Sequence, residues 1–389
     1  MKNKMYVCIA LSSLCLLASC GGKNNETASS TSGGSDHEEP IPTPIPTVEY
    51  TTTPKLVSLL NKQVKSVNIV DFNDKWIDFI YAGGAYRFEN KTNLDLLKPL
   101  PINWPLVSFS ANGESFCGTY IFNNRIPTSF CLGDNTHGQL GDGTFKNHDE
   151  LKSIGVTSTN PSGLNFSYIS VTKNDLVCGI AVDASIYCWG KNALETDGQP
   201  KDFSSPIKII NMQEINPISV GNDYVCFNSY KENLEGIYCF NIYNSYSSIS
   251  ELKPLIKGRF NNLTSDGTNT CAISQDDFSV WCWGSNQFGQ LGDGSNVDSN
   301  NAVRVKIDAK FSSISVSEDT VCGLEFSGNI YCWGRGDEGQ LGNGKTENSN
   351  LPVKVSNINY FQSVKTSQNN TCAADKFSNL WCWGKGDWK

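Results

Sequence analysis

The chain reads as an all-β protein, a seven-bladed β-propeller of four-stranded antiparallel blades whose ring is closed by an N-terminal strand. Three observations predict this. One motif recurs about every fifty residues, as solenoids and propellers require; cysteines pair at matching intervals within the recurring unit; and one strand of each unit is apolar at every position. The motif is clearest as Trp281-Cys282-Trp283-Gly284-Ser285-Asn286-Gln287-Phe288-Gly289-Gln290-Leu291-Gly292-Asp293-Gly294. Close copies run from Cys332-Trp333-Gly334 to Gly339-Gln340-Leu341-Gly342-Asn343-Gly344 and from Cys131-Leu132-Gly133 to Gly138-Gln139-Leu140-Gly141-Asp142-Gly143. Worn copies begin at Cys188-Trp189-Gly190 and Cys382-Trp383-Gly384.

Taken in order, residues 1–19 open with Lys2 and Lys4 and continue through an apolar run from Met5 to Leu17. That run is shorter than the roughly 20 residues needed to cross a bilayer, so it reads as an export signal. Its end, Leu17-Ala18-Ser19-Cys20, resembles the lipobox of bacterial lipoproteins, which implies cleavage before Cys20 and a lipid on its sulfur. Residues 20–52 are rich in Gly, Ser, Thr and Asn and then in proline, from Pro40 to Pro46. They bury no core and read as a disordered tether, about 100 Å long when extended. The propeller is expected over residues 53–389.

Within it, the copy at residues 311–355 shows the unit best. Phe311 to Ser317, Thr320 to Glu325, Asn329 to Gly334 and Leu351 to Val355 are its four strands, with Gly328 in a short hairpin loop. The third strand, Ile330-Tyr331-Cys332-Trp333 or Val280-Trp281-Cys282-Trp283, is apolar throughout, so both of its faces are covered. Sheets stacked on copies of themselves satisfy that demand, and a sandwich with one wet face does not. First strands are expected near 64–70, 106–111, 166–172, 215–221, 260–265, 311–317 and 360–367, which gives the count of seven blades. The chain stops after the third strand of the last unit. Pro54-Lys55-Leu56-Val57-Ser58 repeats the pattern of Pro352-Val353-Lys354-Val355-Ser356 and supplies the missing fourth.

Of fifteen cysteines, Cys8, Cys15 and Cys20 lie in the leader. The other twelve pair as Cys117 with Cys131, Cys178 with Cys188, Cys226 with Cys239, Cys271 with Cys282, Cys322 with Cys332 and Cys372 with Cys382. Even counts at regular spacing in an exported chain read as disulfides. Zinc would need clustered Cys-x2-Cys or Cys/His spacings, and none occurs.

At the Cys-Trp-Gly-x-Asn-x-x-Gly-Gln-Leu-Gly-Asp-Gly motif the chain resembles the regulator of chromosome condensation repeat family, over roughly residues 54–389. The resemblance implies seven blades and a habit of binding. The family's founding role, nucleotide exchange on a nuclear GTPase at chromatin, does not suit an acidic exported lipoprotein: loss of Lys2 and Lys4 takes the formal charge from -8 to -10. The same balance argues against nucleic acid, whose binding needs a basic surface.

No catalytic set is present: no Walker loop, no HExxH, no nucleophile elbow. Gly334-Arg335-Gly336-Asp337-Glu338-Gly339 matches GxGxxG only formally, in an all-β context. His137 and His148 share a loop with Asp142, Asp149 and Glu150, and Asp293 to Asp298 is acidic, but solvated turns explain both, and neither metal nor cofactor is expected. The position before each Gly-Gln-Leu-Gly varies while its neighbours do not: His137, Phe288 and Glu338, with Leu194 and Trp388 in the worn copies. These five are the candidate partner-binding residues, since equivalent loops gather at one face and carry function. The expected function is a monomeric, non-enzymatic scaffold for a protein partner. It sits at the bacterial envelope, at the outer membrane, and touches the membrane through its lipid alone. A secreted bacterial β-lactamase inhibitor looks like the same propeller class, which makes inhibition of a secreted or periplasmic enzyme the alternative; glycan binding through Trp and Asn loops is a third.

Overall fold

The computed structural model describes residues 50–57, 67–72, 76–81, 84–89, 98–99, 106–112, 114–120, 127–155, 163–196, 199–211, 214–244, 251–356, 360–377 and 379–385. The export signal, Cys20, the tether up to residue 49 and Trp388 lie outside them. Among the described residues every regular element is a strand.

The strands form seven four-stranded antiparallel sheets. The chain enters as β1 (Tyr50–Val57) and builds a first sheet from β2 (Val67–Phe72), β3 (Trp76–Tyr81), β4 (Gly84–Glu89) and β5 (Lys98–Pro99). The second holds β6 (Leu106–Ala111), β7 (Ser115–Tyr120), β8 (Thr128–Gly133) and β9 (His148–Ser153), and the third β10 (Phe166–Val171), β11 (Leu176–Ala181), β12 (Ser185–Thr196) and β13 (Gln199–Asn211). The fourth comprises β14 (Ile215–Val220), β15 (Tyr224–Ser229), β16 (Gly236–Asn241) and β17 (Ile256–Lys257), and the fifth β18 (Phe260–Ser265), β19 (Asn269–Ser274), β20 (Val280–Gly284) and β21 (Ser299–Arg304). The sixth holds β22 (Phe311–Val316), β23 (Thr320–Glu325), β24 (Ile330–Gly334) and β25 (Ser349–Lys354). The last is β26 (Phe361–Thr366), β27 (Asn370–Asp375) and β28 (Leu380–Lys385), and its outer strand is β1.

The β1–β28 ladder runs from Tyr50 opposite Lys385 to Val57 opposite Leu380, with an irregularity between Thr51 and Lys55. This strand starts three residues earlier than the sequence places the propeller, because its pairing passes the bulge and continues. First strands adjoin in order, and β2 lies beside both β6 and β26. The fold is therefore a β-propeller of four-stranded antiparallel blades.

Six sheets carry a disulfide across the second-to-third hairpin, in the pairs expected from spacing. Each pair is directly opposed in register, as with Cys322 and Cys332. The Cα atoms stand 4.1 Å apart in all six, closer than the roughly 4.5–5.5 Å of unbridged partners. Such bonds fit an extracytoplasmic protein. Among the described residues no helix is long and apolar enough to cross a membrane.

The core lies between sheets. Phe311 of one sheet packs with Cys271, Cys282 and Leu291 of the preceding one and with Trp333 of its own; Phe166 and Trp189 repeat the arrangement with Cys117, Cys131 and Leu140. Third strands are buried as their composition demands, except that the outward ring of Trp281 or Tyr331 stays half-exposed. Sheet three departs from the pattern. There β12 and β13 run on past the usual strand length and pair out to Thr196 opposite Gln199, so a long hairpin replaces the glycine loop.

Candidate functional site

In an antiparallel sheet the first-to-second and third-to-fourth connections leave from the same end. Here that end carries the short turns around the central channel and, outside them, the Gly-Gln-Leu-Gly loops.

Two of the three loops are built on one asparagine and one glutamine. Asn286 Oδ1 accepts from Leu291 N at 2.9 Å, and its amide donates to Ser295 O and Val297 O, both at 3.1 Å. Gln290 Oε1 accepts from Phe288 N at 2.9 Å. Asn135 and Gln139 repeat these bonds to Leu140 N and His137 N at 2.9 Å. In the third copy Gly336 stands in the place of the asparagine, and a Cβ there would fall 2.1 Å from Glu347 O. The formal GxGxxG match therefore falls in a turn between strands, with no helix after it among the described residues.

The loops reach across to the next sheet. Trp333 Nε1 donates to Gln290 O, Trp189 Nε1 to Gln139 O and Trp383 Nε1 to Gln340 O, each at 2.9 Å. Leu140, Leu291 and Leu341 are completely buried in these seams. Gly292 sits at φ +65°, where a Cβ would lie 2.8 Å from the Trp333 indole nitrogen. The motif is a fastener between blades.

The variable position beside it takes part in the same joint. His137 Nδ1 lies 2.7 Å from Asp202 Oδ2 on β13, the Arg335 guanidinium stands 5.5 Å from the Phe288 ring centroid, and Glu338 Oε1 is 3.7 Å from Lys385 Nζ. All three are half-buried against the following sheet. Leu194 is in β12, opposite Lys201. The histidines take separate partners: His148 Nε2 stands 3.1 Å from Asp142 Oδ2, outside hydrogen-bonding alignment. Asp293 and Asp298 spend their oxygens on loop donors, Ser295 N at 2.9 Å and Asn286 N at 2.6 Å. Burial alone would raise Asp293, but the Ser295 donors outweigh it and hold it below its ordinary value. Among the described residues no group of three metal-ligating side chains comes together.

Inside this ring the first-to-second turns form a bonded lattice. Asn112 Nδ2 donates to Thr172 O at 3.1 Å and to Asp175 Oδ1 at 2.6 Å. Asn174 bonds Asn222, Asn222 N donates to Gly267 O at 3.3 Å, and Lys173 Nζ lies 2.7 Å from Asp266 Oδ2, bridging sheets three and five. Asn269 Nδ2 carries the lattice on to Glu318 O. The turns bring together Glu114, Asp175, Asp223, Asp266, Glu318 and Asp319 with Lys173, and Arg335 stands 3.6 Å from Asp319. Burial pushes Asp175, Glu318 and Asp319 above the usual carboxylate range, against the pull of Asn112, Lys173 and Arg335 respectively.

Below lies a channel cavity of about 180 Å³ lined by Ser110, Ser170, Ser219, Thr264, Ser315 and Lys365, the fifth residues of six of the seven first strands. Some hydroxyls have a structural task. Ser110 Oγ accepts from Val171 N at 2.9 Å and Ser315 Oγ from Thr366 N at 3.0 Å, linking neighbouring first strands that share no ladder.

The sequence reading missed the acidic turns, although a signal exists. The third residue before the first cysteine of a unit is Glu114, Asp175, Asp223 or Asp319 in four sheets.

Residues 279–324 and 327–374 match the regulator of chromosome condensation (RCC1) repeat, and a second description of that repeat matches 311–340. No curated protein matches the chain. Among solved structures, yeast RCC1 (Prp20) bound to Kap60 is similar at 18% identity and a TM-score of 0.58, over 74% of this chain and 72% of that one. Prp20p from Saccharomyces cerevisiae, described with its binding to Gsp1p and histones, gives 18% and 0.57, over 72% of each chain. Human WBSCR16 gives 14% and 0.58, over 84% of this chain and 88% of the other. Likeness at these identities speaks for the fold alone.

Proposed function

Because this chain is an RCC1-like β-propeller, we propose that it is a non-enzymatic scaffold that binds a protein partner on its loop end. It is held at the bacterial envelope, on the outer membrane, by a lipid on Cys20 and a tether. In this reading the seven sheets form one ring, closed where β1 joins β28. The observation that carries the proposal is the lattice of turns: bonded from sheet to sheet, it presents fixed groups, and a surface ordered beforehand loses little entropy on binding. Acids outnumber cations there, so the partner offers a basic surface. The yeast relatives are described with protein ligands, Kap60, Gsp1p and histones, which supports a protein ligand for this fold.

The test is cross-linking in intact envelopes followed by capture of the native lipoprotein. One partner should be recovered with the wild type and lost with Asp223→Lys or Glu114→Lys. Retention of every partner by both variants removes the loop end as the site. Cys20→Ser should move the protein from the membrane to the soluble fraction, and if it stays membrane-bound the lipid assignment fails.

A further inference from the structure

The opposite end, with the second-to-third turns and the links between sheets, carries a different surface. Large apolar side chains stand exposed on it: Phe326 at 61%, Tyr360 at 60% and Phe377 at 69%, with Val182 on the turn of sheet three. With Phe278, these three rings form an arc along sheets five to seven. Phe278 meets Phe326 edge-on with ring centroids 5.0 Å apart. Phe361 N donates to Gly328 O at 3.0 Å, which sets the Tyr360 link against the Phe326 turn. Lys376 Nζ lies 4.4 Å from the Tyr360 ring centroid and 5.1 Å from that of Phe377.

We propose that this arc is a direct membrane contact, in which Phe326, Tyr360 and Phe377 seat the propeller on a phospholipid bilayer that contains anionic headgroups. Three considerations select a bilayer. The rings stand on hairpin tips and a link, so they project, and a fluid interface moulds around projections where a protein would need matching pockets. Aromatic rings settle at headgroup level, with neighbouring lysines reaching the phosphates; Lys310, Lys354 and Lys376 are exposed at this end together with Asp276 and Asp308, while Asp277 is paired with Arg304 at 3.1 Å and Glu325 is bonded by Asn329 at 2.8 Å. The loop end, with six carboxylates and Lys173 in its inner turns, is repelled by the same headgroups. Although Tyr50 enters at the loop end, beside Lys385, a tether of about 100 Å exceeds the roughly 20 Å length of a six-residue strand. The bilayer's nearness rests on the lipoprotein reading; the surface chemistry does not.

The experiment uses the oxidised mature chain with Cys20→Ser, which carries no acyl group, sedimented with vesicles of phosphatidylcholine with or without phosphatidylglycerol. The protein should bind the mixed vesicles and release at high salt. Phe326→Ala and Phe377→Ala should each lower the partition coefficient about tenfold, the scale on which burying a ring favours transfer, while Phe145→Ala, at the loop end, leaves it unchanged. Their melting temperatures should fall only slightly, by what the contacts of Phe326 with Phe278 and of Phe377 with Lys376 contribute, and each should unfold in one transition like the parent. A chain that stays in the supernatant with both vesicles, or a double variant that partitions like its parent, overturns the proposal. So does a result in which the rings are needed to capture an envelope protein and vesicles are ignored. Failure of the anchoring reading shows separately, in the fractionation of Cys20→Ser cells.

Discussion

The bond between the Trp333 indole and Gln290 O makes a prediction with a built-in control. Replacing Trp333 by phenylalanine removes the donor and strands a carbonyl inside a seam where Trp333 itself is fully buried. A buried acceptor left without its partner costs about 1–3 kcal/mol, and the smaller ring leaves a void beside Leu291 worth about 1 kcal/mol more. The expected loss is about 2–4 kcal/mol. Trp189→Phe should cost the same, because its bond to Gln139 O has the same length, 2.9 Å. Trp283 is the control. It occupies the same repeat position and is 6% exposed, but the preceding fourth sheet has no Gly-Gln-Leu-Gly loop to receive its nitrogen. Trp283→Phe should therefore cost about 1 kcal/mol, the void alone. Guanidinium unfolding of the oxidised variants, followed by far-ultraviolet circular dichroism, measures all three. Equal losses at positions 283 and 333 would refute the fastener.

Gly334 lies at φ +98° with a would-be Cβ 2.2 Å from Asp319 O, whereas Gly143 at φ +86° has nothing nearer than 3.7 Å. Gly143→Ala should cost about 1 kcal/mol of backbone strain, and Gly334→Ala several times that or no folded protein, as read by denaturant midpoints. Replacing Cys322 and Cys332 together by alanine opens a hairpin with a sequence separation of 10; a loss of about 2–3 kcal/mol is expected, and peptide mapping of the native protein should find the twelve propeller cysteines oxidised. Glu318 is raised by burial, so its charged form is disfavoured in the fold and its contribution worsens as pH rises from the ordinary carboxylate value through the raised one. Glu318→Gln should therefore melt higher than wild type at neutral pH, with the gap closing below the ordinary carboxylate range. A gap that grows on acidification contradicts the sign.

Period and spacing make the fold and the disulfides legible in the sequence. A residue such as Cys322 has one partner at one interval, and an unbroken apolar strand such as Ile330 to Trp333 demands cover on both sides. The site was harder to read for a reason visible at Phe288. Variation beside an invariant loop signals a changing neighbour, and sequence cannot tell a bound partner from the adjacent sheet. Here His137 meets Asp202, Phe288 meets Arg335 and Glu338 meets Lys385 across the joint. The carboxylates of the inner turns precede the second strand, where no motif recurs, whereas the repeated motif marks the third.

The joint between sheets four and five has a wider meaning. It has no glycine loop, yet Asn228 Nδ2 donates to Phe260 O at 2.7 Å, Tyr230 donates to the same oxygen at 3.0 Å, and the Tyr224 hydroxyl reaches Thr270 at 3.0 Å. Interlocking therefore does not depend on one recurring phrase of sequence; any polar group that spans the gap serves. A unit freed from the motif is free to diverge, so the register of mutations such a propeller tolerates differs from segment to segment, and the segment least like its siblings is where new surface evolves most readily.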